Sequence, residues 1–312
     1  MTNDVSAILD RVRDNLGRVI RGKREAIEML LVGVLAGGHV LVEDVPGVGK
    51  TTIAKALARS FRMAFTRVQF TPDLLPSDIV GSQILQPKEG TFVFHPGPVF
   101  TSVLLADEIN RASPRTQSAL LESMNEGQAT IDGVTHQLPK PFFVIATQNP
   151  ADYQGTYPLP EAQLDRFLVR ISMGYPSHEE ELRMLRERQH SSPLDTLEPV
   201  ADGAELLALQ ERVKAVEVRD SVCRYLLDLV CATRQHGDVE LGVSPRGSLG
   251  LFRASQSMAL LRGRSYVTPD DVQAVARPVL SHRVQLTAQA KYGGMTPDAI
   301  VGGLLGQVPV PT

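Results

Sequence analysis

The chain has 312 residues, 43% of them hydrophobic, which is enough to bury a core in each of two modest domains without a metal or disulfide staple. Its 32 Lys and Arg against 35 Asp and Glu leave a net charge of -3, which removes any global electrostatic reason to bind nucleic acid or an anionic membrane. Cys223 and Cys231 fall on one predicted helix at a rise of roughly 12 Å, too far apart for a bridge. Charges within Met1 to Asp14 and the short apolar run Met29 to Gly38 predict a cytoplasmic protein with no membrane insertion.

Lys23 to Ala36 places Ile27, Leu30, Leu31 and Val34 on one helical face and ends at Gly37-Gly38. His39 to Glu43 reads as a strand, a glycine-rich turn follows, and Thr51 to Phe61 resumes a helical pattern. Further apolar runs at Arg67 to Phe70, Val103 to Ala106, Phe142 to Thr147 and Phe167 to Met173 alternate with helical or irregular segments. That pattern predicts an α/β fold with a parallel sheet covered on both faces. Two hairpins are expected as insertions near 82–95 and 128–138, the second turning at Asp132-Gly133.

After Tyr175-Pro176 the character becomes helical, which divides the chain into an α/β domain, 1–175, and an all-α domain, 176–312. Ser177 with Glu180 forms a capping box, and Ser191 to Asp202 reads as a loop. Further helices open at Asp220-Ser221, at Ser244-Pro245 and at Thr268-Pro269 with Asp271 in the first turn. The glycine-rich and proline-rich end, with one weak helix from Thr296, is expected to dock loosely.

The turn Asp44-Val45-Pro46-Gly47-Val48-Gly49-Lys50-Thr51 follows a strand and opens a helix, the context a phosphate-binding loop requires. Gly47 and Gly49 would let backbone N–H groups close around phosphate, Lys50 would reach the β- and γ-phosphates of ATP, and Thr51 would ligate Mg²⁺. Pro46, Val48 and Thr52 complete the expected binding set. Asp44 stands where the general pattern has its first glycine, and Asp tolerates unusual turn dihedrals.

Val103 to Ala106 ends in Asp107-Glu108, two carboxylates at the sheet end where a parallel sheet presents its ligand crevice. Asp107 would hold Mg²⁺ through its water shell, and Glu108 would orient and deprotonate the attacking water. Asn149 could position that water, or could cap a turn before Pro150. Arg166, at the start of a strand and so opposite the phosphate loop, could reach a neighbouring subunit's γ-phosphate or pair locally with Asp165 or Glu161. Arg246, in the first turn of a helix, needs a nearby anion, either a phosphate or an interface carboxylate. Val19 and Ile20 could flank the adenine base or simply pack in the core.

Val42 to Thr51, Gln69 to Asp78, Ala106 to Ala112 and Gly155 to Phe167 together resemble the MoxR branch of AAA+ ATPases, and the likeness extends over nearly the whole chain. The resemblance implies a P-loop NTPase with a five-stranded parallel sheet of order 5-1-4-3-2 sandwiched by helices, followed by a helical lid. It implies that the two hairpins are the insertions of a clade shared with magnesium chelatase ATPase subunits and minichromosome maintenance helicases. It also implies hexameric rings of identical subunits, Arg166 as a finger acting in trans, and Arg246 as a second sensor acting in cis or in trans. MoxR-like proteins are chaperones that mature or activate a client protein, with partners carrying a von Willebrand factor A domain. A chelatase motor subunit is the closest competing reading. A nucleic-acid motor would need basic hairpins, yet Ala129 to Gln137 offers only His136 as a cation.

Overall fold

The computed structural model describes residues 2–149, 155–187 and 193–311, so Pro150 and the Ser191-Ser192 start of the predicted loop lie outside the described residues. The chain opens with helices α1 (Thr2–Val19) and α2 (Arg24–Leu35), then β1 (His39–Glu43), α3 (Lys50–Ser60) and β2 (Phe65–Gln69). The short α4 (Pro76–Val80) leads into a hairpin of β3 (Gly81–Gln86) and β4 (Thr91–Pro96). Next come β5 (Val103–Asp107), α5 (Pro114–Glu126), a second hairpin of β6 (Gln128–Ile131) and β7 (Val134–Gln137), then β8 (Phe143–Gln148), α6 (Glu161–Leu164) and β9 (Phe167–Ile171). The helical part comprises α7 (His178–Glu187), α8 (Gly203–Lys214), α9 (Asp220–Gln235), β10 (Val239–Leu241), α10 (Pro245–Leu261), α11 (Pro269–Leu280), β11 (Gln285–Leu286), α12 (Ala288–Tyr292) and α13 (Pro297–Gln307).

Five strands pair in the order β2-β5-β8-β1-β9, every pair parallel, which is the 5-1-4-3-2 arrangement. The apolar runs of β1, β5 and β8 are buried on both faces, as parallel strands between helical layers must be. Alternate side chains serve different cores: Val40 and Val42 face α1, α2, α3 and the C-terminal helices, while Leu41 joins Leu104, Ala106 and Leu120 on the other face. The first of these cores runs without a break from Val5 to Leu304.

Strand β2 begins at Phe65 instead of Arg67, because an edge strand with only Val68 buried, and with Arg67 and Gln69 exposed on one face, gives no continuous apolar run. Strand β9 stops at Ile171, two residues before its apolar run ends; the next N–H groups donate to a side chain, not to a ladder. The end of the chain corrects the expectation of a loose tail. Thr296 caps α13, which buries Ile300, Val301 and Leu304. Its glycines are not breakers: a Cβ on Gly302 would sit 2.3 Å from Nη2 of Arg277, so the glycine admits that guanidinium.

The two hairpins touch, Phe94 stacking on His136 at 3.9 Å between ring centroids. Asp132 and Gly133 both take positive φ, the type I′ geometry their dipeptide predicts.

Candidate functional site

The loop after β1 emerges at the C-terminal end of the sheet. Gly47 and Gly49 adopt φ of +84° and +96°, values a side chain would strain, and Gly49 is the N-cap of α3. Apart from its own chain neighbours, no atom lies within 4 Å of where a Cβ on Gly47 would stand, so the loop leaves open space before the positive end of a helix. That geometry fits a phosphate chain. A divalent ion needs only a few protein oxygens when phosphates and water supply the rest; Thr51 follows Lys50 in the first turn of α3, and the Asp107 carboxylate ends β5.

Asp44 is in this position for a reason other than turn geometry. It is absent from the residues with positive φ, and its side chain is 7% exposed. Oδ2 accepts from Met173 N–H (2.5 Å), Gly174 N–H (2.7 Å) and Ser172 Oγ (3.2 Å), and Oδ1 accepts from Val45 N–H (3.0 Å). The Asp44 carbonyl accepts from Lys50 Nζ at 2.5 Å.

Asp107 and Glu108 stand at the end of β5, two strands from β1. Asp107 Oδ1 accepts from Thr147 Oγ1 (2.6 Å), and its Oδ2 accepts from Nη2 and Nε of Arg67 (2.6 and 3.1 Å). Glu108 has φ +56°, rare for a residue with a side chain, and the turn is held by its N–H donating to Thr147 Oγ1 (2.8 Å). Its Oε2 accepts from Gln69 Nε2 (2.9 Å) and Arg111 Nη1 (3.0 Å). A carboxylate held by an amide and a guanidinium on one oxygen keeps its other oxygen for a water. Asn149 is buried just past β8, and the β1–β8 pairing brings it beside the phosphate loop, where the Asp44 N–H donates to the Gln148 carbonyl (3.2 Å).

Val19, Ile20, Val48, Gly49 and Thr52 line one recess with Pro176, Glu180 and Met184. Ile20 belongs to the core, and its Cδ1 lies 3.7 Å from where a Cβ on Gly49 would be. Pro46 is exposed on the outer side of the loop.

Arg166 and Arg246 are together, but at the other end of the sheet. Arg166 precedes β9 and donates Nη1 to the Leu121 carbonyl (2.6 Å), while its Nε is buried without a partner. Arg246, in the first turn of α10, donates to Asn125 Oδ1 (2.5 Å). With Arg253 they line one recess, and none of the three forms an ion pair with a carboxylate among the described residues. Asp165 is already paired with buried Arg283 (2.7 Å), so the local salt bridge considered for Arg166 is not formed with it. Strand β1 alone is five residues, about 16 Å; Arg246 lies with His39 at its start, and Lys50 lies beyond its end. His39, at the start of β1, lies near this recess; burial, with the positive charge of Arg246 adding to it, lowers its pKa to about 4.

Gln69, Arg67, Arg111 and Thr147 were not anticipated from the sequence as site residues. Gln69 and Arg67 lie two apart on β2 and so share a face, and Thr147 is a polar residue within an otherwise apolar strand; both signals are present but weak.

Residues 39–169 match the family described as "ATPase family associated with various cellular activities (AAA)", and residues 231–302 match the AAA lid domain. The chain is 52% identical over 308 residues to YeaC of Bacillus subtilis, described as an uncharacterized protein, covering 99% of this chain and 96% of that one. It is 44% identical over 312 residues to Chaperone MoxR1 of Mycobacterium tuberculosis, covering 97% and 82%. A crystal structure from Cytophaga hutchinsonii, whose description names ATPase as a candidate activity, superposes with a TM-score of 0.92 at 37% identity, covering 100% of this chain and 97% of that one.

Proposed function

This chain belongs to the MoxR family of AAA+ ATPases, and from that premise we propose that it hydrolyses ATP in a ring of identical subunits to remodel a client protein. The observation that carries the reading is the joint placement of the Gly47–Gly49 loop, Lys50, the Asp107–Glu108 pair and Asn149 around one end of the sheet. In this reading the loop N–H groups and Lys50 hold the β- and γ-phosphates. Thr51 and Asp107 hold Mg²⁺, which neutralises charge that builds on the phosphates during transfer. Glu108, steadied by Gln69 and Arg111, takes the proton of the attacking water, and Asn149 orients that water.

Arg166 and Arg246 act on the neighbouring subunit's nucleotide. Their support is a cluster of guanidiniums with no carboxylate partner among the described residues, at the sheet end away from their own phosphate loop, a site that an incoming phosphate would complete. Each active site is then built from two chains, and hydrolysis alters the contact between them.

A polypeptide client is supported by the hairpins. Ile84, Leu85 and Phe92 on the first and Val134 on the second are exposed apolar residues, while Lys88 is followed by Glu89 and His136 is stacked against Phe94. That surface suits a protein segment better than a phosphate backbone. A von Willebrand factor A domain protein is the partner we propose to deliver the client. The test is Glu108→Gln: tight ATP binding with turnover lowered at least ~100-fold is expected, and a pull-down with that form should retain client and partner. Turnover within twofold of wild type would remove Glu108 as the base.

A further inference from the structure

We propose that Asp44 is a positioning residue that fixes the root of α7 so that this helix closes over the base recess. The inference rests on the nucleotide reading above. Helix α7 has no buried side chain among its described residues, so packing does not hold it in place. Yet it contributes Glu180 and Met184 to the recess also lined by Ile20 and Val48. Something other than a hydrophobic face must set its direction.

The structure supplies that restraint at its root. Between the end of β9 and Ser177, the three successive residues Ser172, Met173 and Gly174 all donate to the one carboxylate oxygen Oδ2 of Asp44. Gly174 sits at φ +60°, a conformation that favours glycine, where the carboxylate holds the chain. The next residue is held too: the Tyr175 carbonyl accepts from Lys23 Nζ at 2.7 Å. Hydrogen bonds to a carboxylate are stronger than neutral ones, and four on one side chain leave it little rotational freedom.

The same residue touches the phosphate loop from its other side. Its Oδ1 accepts from Val45 N–H, and its carbonyl accepts from Lys50 Nζ. Lys50 Nζ has three N–H donors, so a phosphate bound there shares the ammonium with the Asp44 carbonyl, and the loop and the α7 root meet at one residue. A glycine here, as in the general loop pattern, keeps the loop but loses every side-chain link to 172–174.

Asp44→Gly therefore separates the two roles. Hydrogen exchange and the kinetics of a fluorescent ATP analogue should be compared for wild type, Asp44→Gly, Asp44→Asn and Lys50→Ala. In Asp44→Gly the amides of Met173 and Gly174 should exchange at least ~10-fold faster, and nucleotide dissociation should quicken by about tenfold with association within about threefold. Asp44→Asn keeps one acceptor oxygen and should restore most of both, which also guards against a folding failure of the glycine variant. Unchanged dissociation in Asp44→Gly, despite faster exchange at 173–174, would overturn the proposal. So would faster dissociation in Asp44→Asn equal to that in Asp44→Gly. If wild type and Lys50→Ala bind the analogue equally, the nucleotide reading itself fails, and that result is distinct from either of the others.

Discussion

Thr147 carries two hydrogen bonds that join Asp107 to the Glu108 backbone, and removing its hydroxyl tests whether they hold Glu108 in place. The side chain is fully buried; Oγ1 accepts from Glu108 N–H at 2.8 Å and donates to Asp107 Oδ1 at 2.6 Å. Thr147→Val keeps shape and volume while deleting both bonds. One neutral bond contributes about 1 kcal/mol and one to a carboxylate about 2 kcal/mol, so a loss of about 3 kcal/mol in folding stability is expected. For a chain of this size that is roughly a 5 °C drop in melting temperature by calorimetry or circular dichroism. The Glu108 backbone at φ +56° also loses its anchor, so kcat should fall about tenfold or more in steady-state ATPase assays. Nucleotide affinity should fall less than kcat, because the two bonds lost belong to Glu108 and Asp107 and not to the N–H groups of the glycine loop. Thr147→Ser, which keeps the hydroxyl, should recover most of both losses. A valine variant within about 0.5 kcal/mol of wild type, with kcat within twofold, would refute the reasoning. A serine variant as damaged as the valine one would also refute it, by assigning the loss to packing.

Two further expectations follow from the other end of the sheet. Arg166→Ala subunits and Lys50→Ala subunits should each be nearly inactive alone, yet mixing them should restore part of the ATPase activity, since some interfaces then hold an intact Lys50 facing an intact Arg166; no recovery across mixing ratios would refute action in trans. Second, His39 should make the fold acid-sensitive. Its ordinary value is 6.5 and its folded value about 4, so between those values the unfolded chain binds more protons. Its contribution is fully present above about pH 6.5 and is lost as pH falls to about 4, by about 3 kcal/mol at most. Urea titrations of wild type and His39→Gln over that range should diverge in slope against pH; parallel slopes would show that His39 is not kept neutral by the fold.

The sheet was legible because β1, β5 and β8 are apolar throughout, and a parallel sheet between two layers demands that pattern. Strand β2 was shifted by two residues because an edge strand buries one face only. Helix α8 was not foreseen, although Asp202 and Glu205 form a full capping box, because the polar stretch before it masked the start. Helix α1 was also passed over, although Val5, Ile8, Leu9, Val12 and Leu16 recur at helical spacing among charges. Residues local to a motif, such as Lys50 and Glu108, could be singled out from the sequence directly. Residues whose work is to hold another group could not. Asp44 sits 128 to 130 positions from the groups it binds, and Thr147 is 39 and 40 positions from its partners.

The phosphate loop and the arginine recess lie at opposite ends of one sheet, which gives the molecule a direction. A two-fold dimer sets each patch against its own copy, so it would bring Arg166 and Arg246 towards Arg166 and Arg246, or one phosphate loop towards another. Neither meeting fills a need. If Arg166 and Arg246 act in trans as proposed, only head-to-tail contact does, and such contact never finishes at two: it leaves one vacant socket and one spare plug until the row bends round on itself. Any open row, whatever its length, keeps one incomplete active site, and closing the circle removes it.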